Sequence, residues 1–424
     1  MSRTTFARRS ALATAAAVAA VSIAGGSALA AAGPTSQLYV PQPQEGARLQ
    51  IAQLTAAGQK TDAALIRDLI NTPQAVWLTG DASDKKTEDT VKRVRQQAAG
   101  KGQIPVFVIY DITYRDCGQY SSGGAPSVAA YESYVDAIVA GLGDSRALVL
   151  VEPDSLGLVP NTSNCSPAGA PASAEADRYT MLNYAVDALN KDANARSYLD
   201  GTHSGWQSVG DASERLVRAG VLRADGLFLN VSAYQFTSNE VYYGTWVSDC
   251  IAYATQVAPG DFGGCPNQYW NGGPSTNWQG TALSAYGVWT PNNATLALNP
   301  SAISERYAGM LGSVQPTAHF VIDTSRNGNG PWDFVAAGYP SAAVAQDWCN
   351  PPGRAAGPAP QLNPVADNPL VDAYLWVKVN GTSDGQCNRS VAGSTTDPEW
   401  GGIVDPAAGV WFPQMALQLA RNAH

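Results

Sequence analysis

The residues best suited to chemistry are two acids that follow an apolar run. Residues 147–151 are apolar and mostly β-branched or leucine, which predicts a fully buried strand, and Glu152, Pro153 and Asp154 come directly after it. In folds built on parallel strands, catalytic side chains lie at the carboxyl ends of the strands. Asp154, behind a proline and against a buried strand, is therefore the best candidate for a carboxyl group that stays protonated.

Other acids and aromatic residues follow the neighbouring predicted strands. In chain order they are Trp77, Tyr110, Asp116, Asp200, His203, Trp206, Arg326 and Lys378. Flat aromatic rings match the apolar faces of sugar rings, and carboxylates bind hydroxyl groups and move protons. Clustered acids raise the pKa of the least solvated member, so Asp116 is expected to help keep Asp154 protonated. A single aspartate at a strand end is more often a cap, and a lone histidine is more often structural. The recurrence at successive strand ends favours a site that cleaves glycosidic bonds.

Strands and helices alternate along most of the chain. Strands are predicted at 75–78, 104–110, 147–151, 198–200, 226–231, 317–323 and 373–377, and helices at 47–57, 61–70, 87–99, 127–140, 174–190, 211–219 and 412–420. This order predicts a parallel sheet closed, or nearly closed, into an α/β barrel. Residues 230–300 and 384–409 interrupt the pattern as long loops, which usually carry function. Residues 31–424 are predicted to form one domain.

The first 30 residues are predicted to be a secretory signal. Arg3, Arg8 and Arg9 precede a short apolar stretch, and Ala28 to Ala30 fits a cleavage site. Removing this segment changes the net charge from −9 to −12. An acidic chain without clustered basic residues is not expected to bind nucleic acid, and the apolar stretch is too short to span a membrane. The mature protein is therefore expected to be extracellular.

Six cysteines in an exported chain predict three disulfides rather than a metal site, because no Cys-x-x-Cys pair is present and the chain has only three histidines. Fifteen connectivities are possible. Proximity in sequence favours Cys117 with Cys165, Cys250 with Cys265, and Cys349 with Cys387. No metal or cofactor is expected.

Six ordered blocks of the sequence resemble glycoside hydrolase family 6, the inverting β-1,4-glucanases. They are Tyr110-Asp111-Ile112-x-x-Arg115-Asp116-Cys117, Glu152-Pro153-Asp154-Ser155-Leu156, Tyr198-Leu199-Asp200-Gly201-x-His203-x-Gly205-Trp206, Asn230-Val231-Ser232-x-Tyr234, Asp323-Thr324-Ser325-Arg326-Asn327-Gly328, and Asp347-Trp348-Cys349-Asn350-Pro351-Pro352-Gly353-Arg354. The resemblance covers residues 38–420. It implies a distorted barrel of about seven parallel strands, with long loops over the carboxyl end of the strands.

The resemblance also implies roles for individual residues. Asp154 is the general acid, Asp116 tunes its pKa and helps to position the water, Tyr110 lies beside the distorted sugar, Ser122 is linked to the catalytic water, and Asp384 is the candidate base. The implied substrate-binding residues are Trp77, Asp200, His203, Trp206, Asn230, Arg326, Trp348 and Lys378. The pairs Cys117–Cys165 and Cys349–Cys387 match the disulfides of the family.

One departure from the family pattern follows the last predicted strand. The family has a glutamate where this chain has Thr382, although Lys378 and Asp384 keep their register.

Long loops that cover the cleft favour a cellobiohydrolase acting from non-reducing ends over an endoglucanase. Because Thr382 replaces the glutamate of the family, a non-catalytic glucan-binding protein is a further alternative. The expected partner is cellulose or a cello-oligosaccharide, and the protein is expected to be a monomer.

Overall fold

The computed structural model describes residues 37–191 and 194–423, and the predicted signal segment lies outside these ranges. The described strands are β1 (Val76–Leu78), β2 (Val106–Ile109), β3 (Ala147–Val151), β4 (Ala195–Asp200), β5 (Gly226–Leu229), β6 (His319–Asp323), β7 (Gln361–Leu362) and β8 (Val371–Leu375). The helices are α1 (Glu45–Ala56), α2 (Lys60–Asn71), α3 (Asp84–Ala99), α4 (Val128–Leu142), α5 (Ala174–Leu189), α6 (Val209–Arg218), α7 (Thr237–Ala252), α8 (Ser301–Leu311), α9 (Ala342–Ala345) and α10 (Pro413–Asn422). No helix in the described ranges is long and apolar enough to cross a membrane.

The strands form one curled sheet in the order β1-β2-β3-β4-β5-β6-β8-β7. All neighbours pair in parallel except the two-residue β7, which runs antiparallel to β8. The amide of Ala75, just before β1, donates to the carbonyl of Trp376, just after β8, at 3.0 Å. The predicted distorted barrel of about seven parallel strands is therefore confirmed. All its parallel strands end on one side.

Both faces of the strands are buried, which explains their nearly continuous apolar sequence. In β3, Val149 and Val151 pack outward against the helices, whereas Leu148 and Leu150 fill the inside of the barrel. Each fully buried side chain of this size contributes about 1.5–3 kcal/mol. Truncating Leu150 to alanine would cost about 2–5 kcal/mol because it leaves a cavity at the centre of the sheet.

Residues 230–300 are not only a loop, so this expectation was wrong in part. The segment contains α7, and α8 follows at its end, so both helices belong to the crossover from β5 to β6. The apolar periodicity of α7 is hidden because its buried face includes Asn239, Glu240 and Ser248. Glu240 accepts a hydrogen bond from the Ser204 amide at 2.9 Å. Polar residues that cap a neighbouring loop thus replace part of an apolar stripe.

Candidate active site

The turn after β3 separates the roles of its two acids. Glu152 and Asp154 both adopt left-handed backbone conformations, with φ of 58° and 67°. This region is costly for residues other than glycine and persists where surrounding contacts enforce it. The buried Glu152 carboxylate accepts hydrogen bonds from the amides of Asp111 and Ile112 at 2.9–3.1 Å. Glu152 therefore fixes the turn after β2, while Asp154 lines the cleft above the sheet.

Asp154 lies where a carboxyl group retains its proton. Burial raises its pKa well above the usual range, and the negative charges of Asp200 and Asp116 raise it further. The charge of Lys378 acts in the opposite direction but does not reverse the effect. Asp154 is therefore suited to donate a proton to a leaving group.

Asp116 lies in the loop after β2, which the Cys117–Cys165 disulfide ties to the loop after β3. Its own φ is 55°, and its carboxylate accepts a hydrogen bond from the Ser121 amide at 2.7 Å. Burial raises the pKa of Asp116 to about 6, although that hydrogen bond and nearby cations oppose the effect. Asp116 can therefore exchange a proton near neutral pH.

Asp384, after β8, is held by two cations. Its carboxylate lies 2.8 Å from Arg326 Nη1 and 2.9 Å from Lys378 Nζ. It also accepts hydrogen bonds from the Tyr234 hydroxyl at 3.2 Å and from the Asn350 amide at 3.0 Å. Burial alone would raise the pKa of Asp384, but Arg326 and Lys378 hold it well below its usual range. This carboxylate stays ionised, and its lone pairs are largely occupied, so it is a weak base.

Aromatic rings on the cleft wall are fixed by neighbouring groups. Trp77 donates from Nε1 to the Val377 carbonyl at 2.8 Å, and its ring meets Tyr110 edge-on with centroids 5.2 Å apart. The Trp206 ring covers Gly157 so closely that a Cβ there would lie 2.3 Å from it. Burial lowers the pKa of the adjacent His203 to about 4, so this histidine is neutral. Rings held in this way can stack against sugars without losing mobility on binding.

The cleft consists of two adjoining cavities of about 410 and 480 Å³. Both are lined by Trp77, Tyr110, Ser121 and Lys378, so they form one continuous groove. The first contains most of the predicted site residues: Asp116, Asp154, Asp384, His203, Trp206 and Trp348. Ser122 and Thr382 line only the second. Thr382 donates its hydroxyl hydrogen to the Val379 carbonyl at 2.8 Å.

Three residues that the resemblance assigns to substrate contact lie beneath the cleft wall. Asp200 is 3% exposed and accepts from the amides of Leu156 and Thr202, and burial raises its pKa to about 6. Asn230 and Arg326 are each 0% exposed. In the structure these three side chains position neighbouring groups, and they do not line either cavity.

Some wall residues were not singled out from the sequence: Gln119, Ser121, Tyr234, Tyr286, Trp332 and Asp347. Tyr234 stands in one of the matching blocks, and its ring lies 4.4 Å from the Arg326 guanidinium. The aromatic character of Trp332, nine residues after the end of β6, was a usable signal. Nothing local to Tyr286 distinguishes it from other aromatic residues in the segment 230–300.

Asn350 joins Asp384 to the C-terminal loop. Its side chain accepts from the Asp384 amide at 2.8 Å and donates to Asp405 at 2.8 Å. Asp405 is 1% exposed, and its other carboxylate oxygen is buried without a hydrogen-bond partner. Burial raises the pKa of Asp405 to about 7. Beside it, Arg389 and Asp397 form a fully buried ion pair at 2.6 Å.

The three predicted disulfides are confirmed: Cys117–Cys165, Cys250–Cys265 and Cys349–Cys387. The last of these ties the loop that carries Trp348 to the loop that carries Asp384. Two separate loops that form the cleft wall are thus covalently joined.

Comparison with known proteins agrees with this geometry. The family model for glycosyl hydrolases family 6 matches residues 34–423. The chain is 32% identical over 390 residues to endoglucanase A of Cellulomonas fimi, an alignment that covers 92% of this chain and 62% of that protein. It is 29% identical over 403 residues to a probable 1,4-beta-D-glucan cellobiohydrolase C of Aspergillus niger, covering 92% of this chain and 76% of that one. The chain thus spans less than two thirds of the Cellulomonas protein.

A solved structure shows the same fold. It is the endoglucanase Cel6 from Mycobacterium tuberculosis in complex with methyl-cellobiosyl-4-deoxy-4-thio-β-D-cellobioside, with 30% sequence identity and a TM-score of 0.61. The match covers 91% of this chain and 97% of that chain.

Proposed function

The chain belongs to glycosyl hydrolase family 6, and on that premise we propose that it is a secreted β-1,4-glucanase that hydrolyses cellulose with inversion of configuration. The observation that carries this proposal is that Asp116, Asp154 and Asp384 line the same cavity in different electrostatic surroundings. The pKa of Asp154 is raised well above its usual range, whereas that of Asp384 is held below it. Such a separation assigns acid and anion roles to chemically identical side chains.

In the proposed reaction, Asp154 gives its proton to the glycosidic oxygen as the bond to the sugar carbon breaks. A water molecule attacks the opposite face of that carbon and loses a proton. Asp116, with a pKa of about 6, is a better acceptor for this proton than the ion-paired Asp384. The proton passes to the Asp116 carboxylate along hydrogen-bonded water molecules, and Ser122 is proposed to hydrogen-bond to the catalytic water. Asp384 then holds Lys378 at the cleft wall beside the substrate, while Arg326 supports Asp384 from beneath.

We favour release of cellobiose from non-reducing chain ends, because loops meet above the groove. Tyr120 lies 5.9 Å from the Trp348 ring, and its hydroxyl accepts from the Gln346 side chain at 3.3 Å. A Cβ at Gly385 would lie 2.5 Å from the Tyr120 Cβ, so the Tyr120 side chain packs against the backbone at Gly385. Tyr120 lines one cavity and Trp348 the other. Their contact joins the walls of the two cavities, which supports the proposal that a chain end is threaded through the groove.

An endoglucanase is the second candidate, and two observations favour it. The relatives at 31–32% identity include endoglucanases from Cellulomonas fimi and Thermobispora bispora. In addition, the long loop between Gly385 and Ala408 supplies no residue to the wall of either cavity. A carboxymethylcellulose viscosity assay, run beside measurement of released cellobiose, separates the two candidates. A rapid fall in viscosity with little cellobiose would contradict the exo-acting proposal.

The anomer formed from cellohexaose tests inversion, since an inverting enzyme releases the α-anomer first. Absence of hydrolysis on cellohexaose, amorphous cellulose and crystalline cellulose would instead support the non-catalytic glucan-binding alternative. Secretion is tested by N-terminal sequencing of protein from the culture medium. Cleavage after residue 30, leaving one domain from residue 31, is the expected result.

A further inference from the structure

Three exposed aromatic residues lie close together in sequence outside the cleft. Tyr269, Trp270 and Trp278 are 48%, 43% and 61% exposed, respectively. They belong to the segment between α7 and α8, within residues 230–300 that the sequence predicts as a long loop. Large aromatic side chains that remain exposed on a soluble protein commonly mark a binding surface. The cleft wall does not include any of the three.

The segment that carries these rings is held firmly in place. The Cys250–Cys265 disulfide fixes its start to the end of α7. The buried Gln268 side chain donates to the carbonyls of Ser204 and Gln207 at 3.0 and 2.8 Å. These contacts attach the segment to the loop after β4. An aromatic ring on such a segment loses little freedom when a ligand binds to it.

Trp270 in particular is a fixed, flat surface. Its ring covers Gly272 and Gly280 so closely that a Cβ at either position would lie 2.2 or 2.4 Å from it. The Arg306 guanidinium lies 5.3 Å from the ring centroid. The ring therefore rests on backbone at both glycines while nearly half of the side chain remains exposed. The same arrangement is found at Trp206, whose ring rests on Gly157 in the cleft.

The exposed rings are continuous with the cleft. The Tyr269 hydroxyl donates to the Trp206 carbonyl at 2.8 Å, and Trp206 lines the first cavity. Trp270 is the next residue along the chain, and its ring contacts Gly280, two residues after Trp278. The segment that carries the exposed rings thus adjoins the cleft wall at Trp206.

We propose that Tyr269, Trp270 and Trp278 form an external platform that binds the β-1,4-glucan chain beyond Trp206. The proposal rests on the proposed function, because continuity with the groove selects a glucan chain as the occupant. Pyranose rings present apolar faces to aromatic rings, and the Arg306 guanidinium can donate hydrogen bonds to sugar hydroxyl groups. A chain too short to extend past Trp206 gains nothing from this platform, whereas polymeric cellulose does.

Adsorption to insoluble cellulose tests the platform without requiring turnover. The protein carrying Asp154→Asn is compared with the same protein carrying Trp270→Ala and Trp278→Ala in addition. Stacking of about 0.5–1.5 kcal/mol for each of the two rings predicts a loss of adsorption affinity of roughly 5- to 150-fold. Leu222→Ala is the matched control, because Leu222 is 60% exposed and lies between α6 and β5, at the opposite end of the barrel. Its adsorption is expected to equal that of the parent.

Hydrolysis by proteins with an intact Asp154 gives the second readout. The double variant should lose at least about fivefold more activity on insoluble cellulose than on cellotetraose. Trp278→Ala alone, and Trp270→Phe as a conservative replacement, guard against a local folding defect at Trp270. Equal adsorption by the parent and the double variant would overturn the proposal, as would equal losses on both substrates. A change from dimer to monomer in sedimentation would also overturn it, by assigning the rings to a second copy of the chain.

The two proposals fail in different ways. If the protein adsorbs through these rings but hydrolyses no glucan, the platform stands and the proposed enzymatic function is wrong. If it hydrolyses glucan but adsorbs equally well without the rings, the platform is wrong and the enzymatic function stands.

Discussion

Replacing Lys378 with methionine tests the electrostatics of the whole site. The ammonium group lies 2.9 Å from Asp384, and its charge also lowers the pKa of Asp116 and opposes the rise in the pKa of Asp154. Two unit charges at this distance attract by about 6 kcal/mol at an effective dielectric constant of about 20. Arg326 still pairs with Asp384 at 2.8 Å, so Asp384 remains ionised in the variant. The desolvation cost of the ammonium group disappears as well. The net loss of stability is therefore expected to be about 1–3 kcal/mol, less than for a buried pair broken outright.

The sign of the effect on activity follows from the proton that Asp154 must carry. Without Lys378 the pKa of Asp154 rises further, so the proton is retained to higher pH. The alkaline limb of the kcat profile should move to higher pH in Lys378→Met and stay in place in Lys378→Arg. Asp116→Asn removes a negative charge that raises the pKa of Asp154, so the alkaline limb of the kcat profile of this variant should move to lower pH. The profiles are measured on cellohexaose at saturation, because kcat reports the enzyme–substrate complex.

Movement of the alkaline limb in the same direction by Lys378→Met and Asp116→Asn would refute this account of Asp154. An unmoved limb in both variants would refute it as well, because another group would then control the loss of activity. Circular dichroism across the pH range serves as the control for unfolding.

Other substitutions test separate parts of the structure. Asp154→Asn should lower kcat about 10²- to 10⁴-fold while calorimetry still detects cellotetraose binding; an unchanged kcat would assign the acid elsewhere. Asp405 has a folded pKa of about 7, above the usual value, so it favours folding while protonated and loses that contribution as the pH rises from about 4 through 7. Asp405→Asn should therefore raise the free energy of unfolding relative to the parent, measured by urea denaturation, by about 1–3 kcal/mol more at pH 8 than at pH 5, and an equal effect at both pH values would contradict this. Replacing both Cys250 and Cys265 with serine opens a loop with a sequence separation of 15 residues and should cost about 3 kcal/mol in chemical denaturation. A loss below about 1 kcal/mol would show that noncovalent contacts such as those of Gln268 suffice.

The sequence predicts the barrel well because its strands are buried on both faces. Residues 147–151 form a strand with the predicted bounds, and the other parallel strands lie within a few residues of their predicted positions. The helix α7 could not be predicted in this way. Its buried side includes Asn239, Glu240 and Ser248, which bond or pack against loops that are distant in sequence. A polar residue buried by tertiary contacts carries no local sign of burial.

The acids at the strand ends show a similar limit. Asp154 and Asp116 meet in the cleft, but Glu152, Asp200 and Asp323 hold backbone amides beneath it. Asp323 alone accepts from the amides of Ser232, Ser325, Val377 and Lys378. Both groups consist of acidic residues at or beyond the carboxyl ends of strands. The direction of the side chain depends on which neighbouring loop presents free amides, and that is a property of the folded barrel.

The buried pair of Arg389 and Asp397 has a consequence for protein engineering. Both ends of the segment 390–396 are fixed by the Cys349–Cys387 disulfide and this ion pair. Asn350, which is next to Cys349, in turn binds the amide of Asp384. The length of that segment can therefore vary without a change in the position of Asp384. Lengthening a flexible loop is inexpensive, because each doubling costs only about 0.6 kcal/mol of closure entropy. Residues 390–396 are thus a site where loop libraries can be grafted to select for altered substrate access while the catalytic groups stay in place.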